Sequence, residues 1–132
     1  MRKINKIILH CSATKEGQHF TVKDIDRWHR ARGFAKIGYH FVIYLDGSVH
    51  QGRQLDEAGA HTKGHNSRSI GICYIGGVDA DGNPKDTRTP EQVTALHALV
   101  AGLRACFAEA TVHGHYEFAA KACPSFDVEE EF

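Results

Sequence analysis

The sequence predicts an α/β fold: one domain, residues 1–132, built on a central mixed β-sheet flanked by α-helices. Two kinds of observation predict it. Short β-branched apolar runs alternate with amphipathic segments of helical period. A length of 132 residues, 42% hydrophobic and 24% charged, is the size and balance of a globular domain that buries a core without covalent staples.

The elements follow in order. Lys6-Ile7-Ile8-Leu9-His10 is a continuous apolar run ending in polar residues, the pattern of a buried central strand. Thr21 caps a helix whose Val22, Ile25, Trp28 and His29 share one face, and Gly33 ends it. Residues 39–51 read as a hairpin, with YHFVIYL and SVHQ flanking Asp46-Gly47 as a two-residue turn. After a glycine- and histidine-rich connection, GAHTKGHNSRS, the stretch Ser69 to Gly76 is a second interior strand. VDADGNPKDTR superficially resembles a calcium loop, but Pro90 stands where the bidentate glutamate belongs and no helix precedes it, which rejects that reading. Thr89-Pro90 opens a second helix, with Gln92 placed for a capping box and Val93, Leu96, Val100, Leu103 and Phe107 as its apolar stripe. A short strand from Ala110 to His113 follows.

The bulk charge narrows the function. Lysines and arginines equal aspartates and glutamates at 16 each, so no basic field suggests a nucleic-acid partner. The apolar run near the N-terminus is too short for a signal-peptide core, and no stretch approaches a membrane span. The chain is therefore expected to be cytoplasmic as synthesised, with no membrane partner, and to be a monomer. Four cysteines without close spacing argue against a disulfide framework in a reducing compartment. Cys73, inside an apolar strand, and Cys106, continuing the helical stripe, read as small core hydrophobes.

Ten histidines keep metal chemistry open. Near the C-terminus, HYEFAAKACPSFD brings His115, Lys121 and Cys123 close together along the chain. A catalytic zinc takes three protein ligands and keeps a fourth position open. His10, ending a buried strand, is the choice for the third, while Cys11 should face the other side because strand side chains alternate. A hydrogen-bonded core histidine is the alternative for His10. A Cys123–His115 pair acting as a cysteine protease is a rival for the whole constellation.

With these residues assembled, the chain resembles the zinc-dependent N-acetylmuramoyl-L-alanine amidases of type 2, the superfamily that includes the peptidoglycan recognition proteins. Within it the likeness is to the small phage lysozymes that are amidases rather than glycosidases. The matching stretches are IILHCSATK (7–15), RWHRARGF (27–34), IGYHFVIYLDG (37–47), NSRSIGICYIGG (66–77) and KACPSFD (121–127), in the family's order. Where phage members often have proline before the lysine, this chain has Ala120.

The resemblance implies one Zn²⁺ held by His10, His115 and Cys123, with Tyr39 and Lys121 as catalytic residues. It implies hydrolysis of the amide joining N-acetylmuramic acid to L-alanine of the peptidoglycan stem peptide. Zinc would supply an acidified water of pKa about 7 and polarise the carbonyl. Lys121 would stabilise the oxyanion, and Tyr39 would donate to it or orient the water. His61, Lys63 and Asn66, in the glycine-rich connection, are candidates for the substrate groove. Glu117 and Asp127 are candidate acceptors that orient the ligand histidines. A recognition domain that binds peptidoglycan without cutting it is the alternative, and relatives of that kind typically lack the cysteine that Cys123 supplies here. Without a signal peptide the enzyme would reach the wall after release or lysis, as a phage or prophage endolysin would.

Overall fold

The computed structural model describes residues 1–132. In chain order it contains β1 (Lys6–Cys11), β2 (Thr14–Lys15), α1 (Val22–Ala31), β3 (Phe41–Ile43), β4 (Val49–Gln51), β5 (Ser69–Tyr74), β6 (Gly77–Val78), α2 (Pro90–Cys106), β7 (Thr111–Gly114) and α3 (Val128–Glu131). The main sheet has five strands in the order β4-β3-β5-β1-β7. Only β4, the hairpin return, is antiparallel; β3, β5, β1 and β7 run parallel. The mixed sheet expected from the sequence is therefore present.

The apolar runs of β1 and β5 occupy the middle of this sheet, where both faces are covered. Alternation then sends Ile7, Leu9 and Cys11 into the larger core, against Ile70, Ile72 and Tyr74 of β5 and Leu96, Val100 and Leu103 of α2. Each such fully buried aliphatic side chain contributes about 1.5–3 kcal/mol. The other face carries the smaller core under α1, where Ile25, Ile37, Val42 and Ile75 meet with Trp28 and Tyr39.

Both long helices begin as the sequence indicates. Thr21 closes a capping box with Asp24, and Thr89 closes one with Gln92, with Pro90 in the first turn. Gly33 ends the first with a positive φ of 96°, a conformation that glycine adopts without penalty.

Two local expectations are corrected, and two features are added. The hairpin turn is longer than two residues: Gly47 donates to the Tyr44 carbonyl and Tyr44 to that of Ser48, with Gly47 at φ 84°. This is a three-residue loop closed by a glycine bulge, whose twist suits the strands as well as a two-residue turn does. Cys106 is exposed rather than packed, because it lies off the stripe on which Leu103 and Phe107 still meet the core. A short helix, α3, follows Asp127, and β2 and β6 form a separate two-stranded parallel sheet. No helix is long and apolar enough to cross a membrane.

Candidate metal centre

The parallel register of β1 and β7 builds the site. Leu9 stands beside Gly114, so His10 and His115 follow as neighbours where the two strands end. His10 points to the α1 face, opposite Cys11, as alternation requires. Cys123 arrives from the segment after β7. Ligand atoms of His10, His115 and Cys123 all lie within 4.8 Å of one another.

Several hydrogen bonds hold the Cys123 segment. The Cys11 amide donates to Cys123 Sγ at 3.2 Å, and the Tyr116 amide to the Cys123 carbonyl at 3.0 Å. Tyr74 donates its hydroxyl to the Pro124 carbonyl at 2.6 Å, and Ser125 Oγ donates to the Gly77 carbonyl at 2.8 Å. The thiol is thereby tied to the central strand rather than left on a free loop.

The donor set fits a zinc ion. Two imidazoles and one thiol are borderline-soft ligands, and three of them leave a position open, as catalytic zinc sites require. Burial first, then the nearby His61, His115 and Lys121, holds His10 well below the usual histidine range. Burial, then Lys121, lowers His115 as well. Both rings are thus neutral near pH 7, with lone pairs to offer. Its hydrogen bond with Cys11, then burial, pushes the Cys123 thiol up. A thiol that serves as a metal ligand is not free to act as the nucleophile of a Cys–His protease, so the metal reading and the protease reading exclude each other.

A cavity of about 480 Å³ opens over this cluster. Tyr39 and His115 line its floor, and Lys121, Lys63 and Phe118 stand around it. The Tyr39 ring lies 5.1 Å from that of His10, and burial raises its phenol well above the usual tyrosine value. It stays protonated and so has a proton to donate. Lys121 is exposed and lines the cavity, so its cation is available to a bound ligand.

The glycine-rich connection divides its roles. Lys63 is exposed at the cavity, as a groove residue should be. Asn66 also lines it, yet its Oδ1 accepts the amides of His61 and Thr62, both at 2.9 Å, so it shapes the loop. His61 lines the cavity as well, and its ring also reaches inward: its Nδ1 lies 2.9 Å from His10 Nε2. Burial, then the nearby His40 and His115, takes it down to about 3.

The expected carboxylate partners are elsewhere. Glu117 accepts from the Gly114 amide at 2.8 Å and pairs with His113 rather than His115. Asp127 caps α3, accepting the Glu130 amide at 3.0 Å. Both follow from chain geometry, since each carboxylate reaches a backbone amide three residues away. His29 is a cavity residue that the helix pattern gave only as part of an apolar face. Its Nδ1 accepts the Gly38 amide at 2.9 Å, which turns the ring edge toward Tyr39.

A mixed-sheet α/β domain with a His-His-Cys cluster at its strand ends, under an open cleft, has the layout of an enzyme with a candidate metal site. Comparison with known proteins then gives the family. Residues 1–126 match the N-acetylmuramoyl-L-alanine amidase family, to which this chain belongs. The endolysin of Enterobacteria phage K11 is 43% identical over 128 residues, covering 97% of this chain and 85% of its own. Among solved structures, the amidase LysC of Clostridium intestinale superposes with a TM-score of 0.84 at 30% identity, over 98% of this chain and 83% of that one. Drosophila PGRP-LB superposes with a TM-score of 0.79 at 25% identity, over 94% and 76%. The chain is accordingly an enzyme that hydrolyses the amide between N-acetylmuramic acid and L-alanine in peptidoglycan.

Proposed function

We propose that this amidase works through one zinc ion held by His10, His115 and Cys123, with Tyr39 and Lys121 acting on the reacting amide. The observation that carries this reading is the convergence of the three donors within 4.8 Å beneath the cleft. Zinc bound there supplies Lewis acidity, which makes its water acidic near pH 7 and polarises the scissile carbonyl.

The chain's own groups do the rest. His10 and His115 offer neutral nitrogens, and Cys123 is held toward them by the Cys11 amide. Tyr39, protonated at working pH, donates a hydrogen bond to the oxygen that gains charge in the tetrahedral intermediate. Lys121 brings a positive charge to the same oxygen from the rim. Lys63 lies where it can contact the stem peptide or sugar. Peptidoglycan is the partner, bound by a monomer without nucleic acid or membrane. The setting is that of a bacteriolytic endolysin of phage or prophage origin, made in the cytoplasm and acting on the wall after release or lysis.

The test is digestion of purified peptidoglycan with the metal present, with a chelator, and with zinc restored, followed by mass analysis. Free stem peptides beginning with L-alanine are expected, lost on chelation and recovered with zinc. Peptides shortened but still joined to muramic acid, or products indifferent to chelation, would overturn the proposal.

A further inference from the structure

We propose that His61 is the positioning residue of the metal centre: it accepts a hydrogen bond from His10 and so fixes the tautomer that turns the other His10 nitrogen to the ion. This rests on the zinc reading above and adds a residue to it.

The proton assignment follows from the contacts. His10 Nε2 faces His61 Nδ1 at 2.9 Å, which leaves His10 Nδ1 as the nitrogen with a lone pair for the metal. A neutral ring that ligates through Nδ1 carries its proton on Nε2, so His61 Nδ1 must be the acceptor. The proton of His61 then sits on its own Nε2, where Ser69 Oγ lies 3.3 Å away to accept it. Thr62 Oγ1, 3.0 Å from His61 Nδ1 and 3.4 Å from His10 Nε2, closes a triangle on the shared bond. Every ring nitrogen in the series from Ser69 through His61 and His10 thus has one role. Metal-bound histidines usually take a carboxylate, a carbonyl or water as this outer partner. Here Glu117 and Asp127 are committed elsewhere, and an imidazole fills the place.

The surroundings are shaped for that ring. A Cβ on Gly71 would come within 2.6 Å of the His61 ring, and one on Gly59 within 2.5 Å. Gly71 lies inside a fully buried strand, where glycine weakens pairing and needs a reason. Neither glycine has a positive φ, so the reason is space and not backbone conformation. Asn66 pins the loop from behind through the amides of His61 and Thr62. A surface histidine that only touched substrate would need none of this.

The experiment measures zinc affinity of the full chain by competition with a chromophoric chelator. His61→Phe keeps a ring of similar size and removes the acceptor; binding is expected to weaken about 10–100-fold. His61→Asn, whose amide oxygen can take the Nδ1 position, should recover most of the loss. Wild type that takes up no zinc overturns the metal reading itself. Wild type that binds zinc alongside a His61→Phe variant of equal affinity overturns the role of His61 alone, as does an Asn variant as weak as the Phe one. Should the phenylalanine variant fail to fold, the cobalt-substituted wild type gives a second measure. The Nε2 proton of His10 should appear as a shifted, slowly exchanging resonance, and exchange as fast as an exposed imidazole's sinks the inference.

Discussion

Lys121 stands exposed at the cavity rim, so replacing it disturbs neither core nor ligands. Lys121→Ala is expected to lower kcat on peptidoglycan by about 10²–10³, the usual loss of one oxyanion donor, with zinc affinity almost unchanged. Turnover near that of wild type would remove Lys121 from the mechanism. At this scale the sequence is uneven. His10 and Cys123 could be singled out because each is a ligand type in an unusual place, a strand end and a C-terminal loop. Lys121 stood out only as a cation close to Cys123 in the chain, and Tyr39 had no mark at all; the family resemblance put forward a role for each. The inward turn of His61 was missed, although Gly71 in a buried strand was a signal that another group approaches there.

Elements were easier to read than their connections. The capping boxes of α1 and α2 are local, so spacing alone reveals them. Gln92 does more than spacing can tell: its Nε2 donates to the carbonyls of Ile43 and Ile75, at 3.3 and 3.0 Å, and its side chain accepts the Thr89 amide. It is fully buried and joins the start of α2 to the ends of β3 and β5. Gln92→Leu takes the side-chain partner from the Ile75 carbonyl and the Thr89 amide, while the Ile43 carbonyl keeps the Ile75 amide, and should cost about 1–3 kcal/mol, read as a lower denaturant midpoint at unchanged slope. The turn at Gly47 and the Asp127 cap of α3 were misread for one reason. Residue types such as Asp-Gly or a lone aspartate suit several local geometries, and packing chooses among them.

Across the whole molecule, the C-terminus is fastened by His97 of α2, 2.8 Å from Glu131, and above all by the arginine just before that helix. Arg88, nearly buried, donates twice to Glu131 at 2.7 Å, pairs with Asp86 at 2.9 Å and lies 3.5 Å above the Phe126 ring. This clasp holds the stretch immediately after Cys123. The arginine's hydrogen bonds hold both Glu131 and Asp86 below their usual carboxylate values. A depressed acid stabilises the fold above its unfolded pKa, about 4.3 for Glu and 3.9 for Asp, and loses that contribution as pH falls through the folded value. Thermal scans should therefore show the melting temperature dropping as pH is lowered past about 4. Arg88→Met should melt lower at neutral pH and show a shallower fall. An equal slope in both proteins would place the acid sensitivity elsewhere.

The sequence by itself determined the order of the main elements, the starts of the two long helices, the two buried central strands and the residue types able to bind a metal. These follow from periodicity and local hydrogen bonding, which act over a few positions. Tertiary structure decided which of those residues meet. His10 and His115 become neighbours only through the parallel register of β1 and β7, and Cys123 joins them only because its segment is bonded back onto β1 and β5. His61 meets His10 across a fold that spans residues 10 to 61, over a glycine left bare for it. Local pattern does not encode contacts at that separation; they arise when the sheet brings its strand ends together.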